Sequence, residues 1–316
     1  MRRGELSRAR RMLDSLGLAA GTPETLAELR NNELRPSQLT SPLPEQTFTF
    51  SPAQRVEVKS GRLMSAIKSA GRGSARDLSG MRYEHLRVLL DDKNAWNLFV
   101  CLAQAFARAE LPEEIAAAVA LGRLTALKKD NGKVRGIVAG SVLRRAVGRA
   151  LADAFSDAFL EATFPFQFAL QTRAGTDALA QAVRLMTDTS PDLVLISLDG
   201  VGAFDHVERK AMFEKILAQP SLQSLVPYVR TWYGRQSCFL RTDDDGVVHE
   251  VLQGEGGEQG DPLMPALNAL AQHDALVKAQ ANLHEEDHHS AFLDDLYILT
   301  TQESVPELPL TMLPQK

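Results

Sequence analysis

Two apolar runs that carry aspartates limit the fold of this chain more than any other feature. Residues 193–198 (Leu-Val-Leu-Ile-Ser-Leu) run straight into Asp199-Gly200 and read as a fully buried strand. Residues 291–299 (Ala-Phe-Leu-Asp-Asp-Leu-Tyr-Ile-Leu) read as part of a strand pair, 290–293 and 296–300, pivoting on Asp294-Asp295. Carboxylates beside such strands are costly unless something positive compensates them. If the strands lie side by side, Asp199 and Asp294 converge into an oxygen-rich site suited to Mg²⁺. Two such ions could serve an in-line phosphoryl transfer. Each acidic position taken alone also reads as an ordinary solvated turn.

The charge distribution bears on the partner. The formal net charge is −5, which by itself argues against nucleic acid. The halves differ, however: residues 1–150 hold 25 Lys/Arg against 15 Asp/Glu, and residues 151–316 hold 10 against 25. The first half is therefore +10 and the second −15. Segment 121–150 alone has eight basic residues and one acidic residue, Asp130. Two cysteines, Cys101 and Cys238, make neither a disulfide framework nor a four-ligand zinc site. No apolar run reaches the ~18 residues of a membrane span. Glu5 and Asp14 count against a transit peptide. The expectation is a soluble intracellular protein without a membrane partner, nuclear or cytoplasmic.

Along the chain, residues 5–17 suggest a basic helix and 21–49 a linker or extended arm. Helical periodicity covers about 52–69, 81–91, 94–108 and 113–121. Two strand-like runs, 124–128 and 134–138, flank the turn Asp130-Asn131-Gly132. Helices are expected at about 141–158, 175–187, 209–217 and 222–233, and a hairpin over 237–251. A Gly-rich loop, 254–260, opens an apolar helix from Pro262 to Ala281, with Asp261 as cap. The dense run His284 to His289 lacks paired metal-ligand spacing and reads as a solvated loop.

Three ordered blocks raise the stakes: Leu198-Asp199-Gly200-Val201-Gly202-Ala203-Phe204-Asp205, Gly257-Glu258-Gln259-Gly260-Asp261-Pro262-Leu263, and Phe292-Leu293-Asp294-Asp295. They resemble palm motifs A, B and C of reverse transcriptases, especially the non-LTR retrotransposon and group II intron-like branch. Upstream, Leu127 to Ile137 resembles the fingers hairpin of that family. The basic helix Ser141 to Arg149 and the stretch from Phe166-Gln167 to Gly175-Thr176 resemble its fingers–palm connection. The resemblance covers about residues 75–300.

It implies an α+β fingers–palm polymerase fold, with a small antiparallel palm sheet packed on helices after a helical N-terminal extension. The implied division is 1–74 extension, 75–190 fingers with the start of the palm, 191–300 palm and 301–316 tail. Asp199, Asp294 and Asp295 would be the catalytic carboxylates, with the Gly200 carbonyl a further metal ligand for Mg²⁺ or Mn²⁺. Lys128 and Arg135 would grip the triphosphate, Phe204 would gate against a ribose 2′-hydroxyl, and Gln259 and Gly260 would lie by the nascent base pair. Lys129, Lys133, Arg144, Arg145 and Arg149 would contact the phosphate backbone of template or primer. The implied partners are an RNA template, a DNA primer and dNTPs. Phe204 has core packing as its plain alternative, and the basic run a solvated face.

Two departures qualify the resemblance. Gly136 stands where the family usually has proline, which loosens the aim of Arg135. Only 21 residues follow Asp295, and no primer grip or thumb is recognisable in them. The favoured expectation is an RNA-directed DNA polymerase domain of a retroelement. The alternative is an inactive, truncated remnant that at most binds nucleic acid, and a different two-metal phosphotransferase or nuclease ranks third.

Overall fold

The computed structural model describes residues 17–305 except 130, 171, 173, 201, 285 and 286. The helix expected at 5–17 therefore lies outside the described residues but for Gly17, as do Asp130 of the hairpin turn and the end of the tail. Among the described residues seven strands form two sheets. Strands β1 (Gly122–Lys128), β2 (Val134–Ala139), β4 (Ser237–Thr242) and β5 (Val248–Gln253) make a four-stranded sheet in the order β2-β1-β4-β5. Strands β3 (Leu193–Asp199), β6 (His288–Phe292) and β7 (Asp295–Thr301) make the small antiparallel sheet in the order β3-β7-β6. The mixed α+β class expected from the sequence is what the chain adopts.

The main core is helical. Its centre is helix α4 (Val142–Ala154), in which Val142, Ala146, Val147, Ala150 and Leu151 are buried. Helices α2 (Ser60–Ser69), α3 (Lys93–Ala107), α5 (Ser156–Thr163), α6 (Arg209–Ala218), α7 (Val226–Tyr233) and α8 (Met264–Ala281) contribute to the same core. A smaller core beneath the four-stranded sheet joins Leu124, Ala126, Val138, Phe239 and Val251 to Leu29. Leu29 comes from helix α1 (Pro23–Leu29).

The sequence expectations fail at definable points. Residues 21–49 contain α1, started by Thr22, whose side chain accepts from the Thr25 amide, and by Pro23 in its first turn. This segment is also tied down throughout. Gly21 meets Asp244, Arg30 donates to the Glu250 carbonyl, and the Gly254 amide donates to Pro36. The helix expected over 52–69 begins only at Ser60, and Val56 and Val58 are buried from an extended segment. Asp261 and Pro262 lie before α8, which starts at Met264.

The strand read as fully buried is an edge strand. Leu193–Asp199 pairs only with β7, and Leu195 is 46% exposed. An apolar run of this length fits a central or an edge position equally well, because periodicity carries no information about the number of neighbours.

Candidate active site

The β3–β7 register places Asp199 directly opposite Asp295. Because Phe292 pairs with Asp295, the β6–β7 turn consists of Leu293 and Asp294 alone. The pivot thus sits one residue earlier than the sequence suggests, and Asp295 belongs to the strand. Leu293 has φ 58°, the positive value that a tight two-residue hairpin turn demands at its first position. A leucine there is strained, and Gln167 holds it on both sides. The Gln167 Oε1 accepts from the Leu293 amide at 2.7 Å, and its Nε2 donates to the Leu293 carbonyl at 3.3 Å. Residues 166–168 bond along β6 through the Ala291 amide and carbonyl, which fixes Gln167 in place. Sequence reading noted the Phe166-Gln167 stretch but not this role.

Asp199, Asp294 and Asp295 therefore meet at one end of the small sheet, and a Cβ on Gly200 would lie 3.7 Å from the Asp294 carbonyl. Burial raises the Asp295 carboxyl above its ordinary value, and the neighbouring Asp294 and Asp199 raise it further. Among the described residues no Lys or Arg forms an ion pair with any of the three. Nor do three His, Cys, Asp or Glu side chains close on one point as a preformed metal cluster. The donor set is nevertheless all oxygen and anionic, which fits a hard cation such as Mg²⁺.

The Gly-rich loop, 254–260, packs tightly. Its glycines make close approaches to the protein itself. A Cβ on Gly256, whose φ is +63°, would lie 2.2 Å from the Phe204 carbonyl, and one on Gly260 would lie 2.3 Å from the Val138 carbonyl. The Gly257 amide also donates to the Phe204 carbonyl at 2.8 Å. Phe204 is half-buried and packs against the main core, with Asp205 buried beside it. Asp205 receives Arg35 (Nε and Nη2, both 3.2 Å), Gln253 (3.4 Å) and Gln259 (3.5 Å). The loop thus ties Gln259 and Phe204 to one carboxylate.

Arg144 and Arg145, expected on a phosphate-facing surface, lie inside. Arg144 is 2% exposed, ion-pairs with Glu258 and, at 2.8 Å, with Asp261, and lies against the Trp232 and Tyr233 rings. The Tyr233 hydroxyl donates to the same Asp261 at 2.7 Å. Arg145 donates to the carbonyls of Gly140 (3.0 Å) and Ala75 (2.7 Å) and lies over Tyr83. Both arginines follow the helical spacing of the buried face of α4, so the density of basic residues in the sequence misled. Arg149, one turn beyond Arg145, is exposed.

Around the β1–β2 hairpin Lys128, Lys133 and Arg135 are exposed and Lys129 is half-buried. The register opposes Lys128 to Val134 and Arg135 to Leu127, so Lys128 and Arg135 occupy opposite faces of the ribbon. They are not brought together by the strands themselves.

The family described as "Reverse transcriptase (RNA-dependent DNA polymerase)" matches residues 126–315, well over half of the chain. No curated protein matches the chain. Among solved structures, one of apo telomerase from Candida tropicalis, truncated from its C-terminal domain, aligns with TM-score 0.46 and 12% identity, over 62% of this chain and 46% of that one. A second apo telomerase structure from the same organism aligns with TM-score 0.44 and 10% identity, over 60% and 40%. The chain thus spans less than half the length of these telomerase chains. The family match covers all three aspartates and the Gly-rich loop between them: this chain belongs to the reverse transcriptase family.

Proposed function

We propose that the chain is the fingers and palm of an RNA-directed DNA polymerase of retroelement origin. In this reading residues 75–190 supply the fingers with the start of the palm, and 191–300 the palm. It joins dNTPs to the 3′-end of a primer paired to an RNA template. The observation that carries this reading is the Asp199–Asp295 register with Asp294 in the adjoining turn, three carboxylates with no Lys or Arg ion-paired to them among the described residues. Such a cluster is stabilised by an external cation. When bound there, Mg²⁺ would lower the pKa of the primer hydroxyl and neutralise charge on the leaving pyrophosphate.

The protein's own part is positioning. Asp199, Asp294 and Asp295 hold the cations, the Gly200 carbonyl extends the donor set, and Gln167 fixes the turn that presents Asp294. Phe204, anchored from behind by the Gly-rich loop, faces the sugar of the incoming nucleotide and disfavours a 2′-hydroxyl. Gln259 and Gly260 border the base pair. Lys128 and Arg135 reach the triphosphate from the two faces of the hairpin, and Lys129, Lys133 and Arg149 meet backbone phosphates.

Extension of a DNA primer on an RNA template should require Mg²⁺ or Mn²⁺ and vanish in Asp295→Asn. Absence of any incorporation by the wild-type chain in either metal would refute the reading. A second reading, a remnant that binds nucleic acid without catalysis, is favoured by the exposed Lys128, Lys133, Arg135 and Arg149, which can meet phosphates independently of the three carboxylates. It expects salt-sensitive template–primer binding that Asp199→Asn leaves unchanged, and no incorporation.

A further inference from the structure

Arg35 comes from the segment between α1 and the short helix Gln46–Thr49, well upstream of the family match that begins at residue 126. It is 5% exposed and sits at the junction of three elements. Its Nε and Nη2 both reach the Asp205 carboxylate at 3.2 Å, Nη2 also donates to the Gly136 carbonyl at 3.3 Å, and the guanidinium lies 5.9 Å from the Phe239 ring centre. Its Nη1 is buried and has no hydrogen-bond partner among the described residues.

The space around Gly136 is the decisive detail. A Cβ there would lie 2.8 Å from the Arg35 Nη2 and 2.9 Å from its Nη1. The glycine that departs from the family pattern therefore leaves room for this guanidinium. Neighbouring arm residues follow the same course. The Glu33 carbonyl is 2.9 Å from the His206 Nε2, and the other His206 ring nitrogen meets the Gly202 carbonyl at 2.9 Å. A Cβ on Gly202 would lie 3.8 Å from the Leu34 carbonyl. Residues 33–35 thus run along the turn 202–206 that carries Phe204.

The network has one centre. Asp205 follows Phe204 directly and also receives Gln259 and Gln253. Burial raises its carboxyl, and the Arg35 guanidinium pulls it back down. Both Arg35 nitrogens converge on one oxygen, Oδ1, while Gln259 reaches Oδ2, so the charge-assisted contact from the arm and the amide from the loop together fix the direction of the carboxylate. Without Arg35, Asp205 would be a buried carboxylate held by two long amide contacts, free to re-aim the turn.

We propose that Arg35, lodged in the space vacated at Gly136, is a positioning residue for the nucleotide pocket, holding the Phe204–Asp205 turn and Gln259 in register with the fingers hairpin. The N-terminal arm is on this view a wall of the pocket rather than a linker. This inference rests on the reading of that pocket as a deoxynucleotide site.

The test uses the full chain with an RNA template annealed to a dideoxy-terminated DNA primer in Mg²⁺, so that binding is measured without chemistry. Affinities for the complementary dNTP and rNTP are compared across variants. Arg35→Ala should weaken dNTP binding about tenfold, the scale of one hydrogen bond to a charged group, and shrink the dNTP-over-rNTP preference by a similar factor. Arg35→Lys should recover part of both. Gly136→Ala should reproduce the loss when Arg35 is present and add little in the Arg35→Ala background. A lowered Tm with unchanged nucleotide preference in Arg35→Ala would reduce Arg35 to a structural prop and overturn the proposal, as would strictly additive effects of the two substitutions. Failure of the wild-type chain to bind any dNTP would overturn the nucleotide-site reading and this role together. Normal wild-type binding with a null Arg35→Ala effect would overturn the role alone.

Discussion

Two acidic clusters in this molecule are built on opposite plans. In the first, Glu255, Glu258 and Asp261 of the Gly-rich loop are all buried, and each is matched inside the protein. Arg144 bridges Glu258 and Asp261, while Glu255 accepts from the Thr40 amide and hydroxyl and from the Arg209 amide. Arg209 is itself so deeply buried that desolvation brings it down to about 10, and it donates to the Gly256 and Arg235 carbonyls and the Ser237 hydroxyl. In the second cluster, Asp199, Asp294 and Asp295 lie at the end of an edge-exposed sheet and repel one another. The first cluster is closed and structural. The second is left open: among the described residues no Lys or Arg forms an ion pair with it.

That contrast can be tested from its largest consequence downward. Asp295→Asn should cut metal-dependent extension by about a thousandfold or more, since several kcal/mol of transition-state stabilisation pass through the metal-holding carboxylates. A single-turnover assay measures this, and retention of a tenth of the activity would mean the open cluster is not the metal site. Arg144→Met should instead act on folding, lowering stability by ~3–5 kcal/mol because it leaves two buried carboxylates uncompensated. Urea titration checks it. Adding Glu258→Gln should return part of that loss, and an unhelpful second substitution would show that the closed cluster is not coupled.

His289 offers a pH-dependent contrast to both. It is buried, stacked on Phe166 at 4.2 Å, and neither ring nitrogen has a partner among the described residues. Burial lowers it from the ordinary imidazole value of 6.5 to about 4. The unfolded chain therefore binds more protons between these values, so this residue's contribution to stability is present above about pH 6.5 and is lost as pH falls toward 4. The loss should amount to ~2 kcal/mol over that window, and His289→Phe should flatten the slope of Tm against pH by the corresponding amount. Equal slopes in both proteins would remove His289 from the account.

The smallest effect belongs to the open cluster without metal. Because burial, and then the neighbouring Asp294 and Asp199, raise the Asp295 carboxyl, ionisation of Asp295 destabilises the folded state as pH rises through that raised value. Asp295→Asn should accordingly raise Tm slightly at neutral pH in EDTA, and Mg²⁺ should stabilise only the wild type. A fall in Tm for the variant would argue that the three carboxylates are satisfied within the protein.

Much of this was legible beforehand because aspartates next to apolar strands are exceptional, and an exception carries information about its cause. The pairing of the strand ending at Asp199 with the strand holding Asp295 stays conditional in the sequence, and the antiparallel register decides it. The exposure of β3 does not, because edge and centre differ in neighbours, not in residue pattern. Arg144 and Arg149 show the same limit on a helix. They stand five positions apart in a basic stretch, yet one neutralises the Gly-rich loop from inside and the other faces solvent. Reading charge density alone treated them alike.

The sequence by itself determined the mixed α+β class, the order of the acidic and Gly-rich blocks, and the local turn chemistry, since these depend on near neighbours along the chain. Only the tertiary structure decided that Asp295 rather than Asp294 opposes Asp199, that the glycines accommodate the protein's own backbone, and that a residue as distant as Arg35 reaches Asp205. Those outcomes depend on register and on desolvation. Both are set by which surfaces close on one another, and the linear order of residues does not encode that directly.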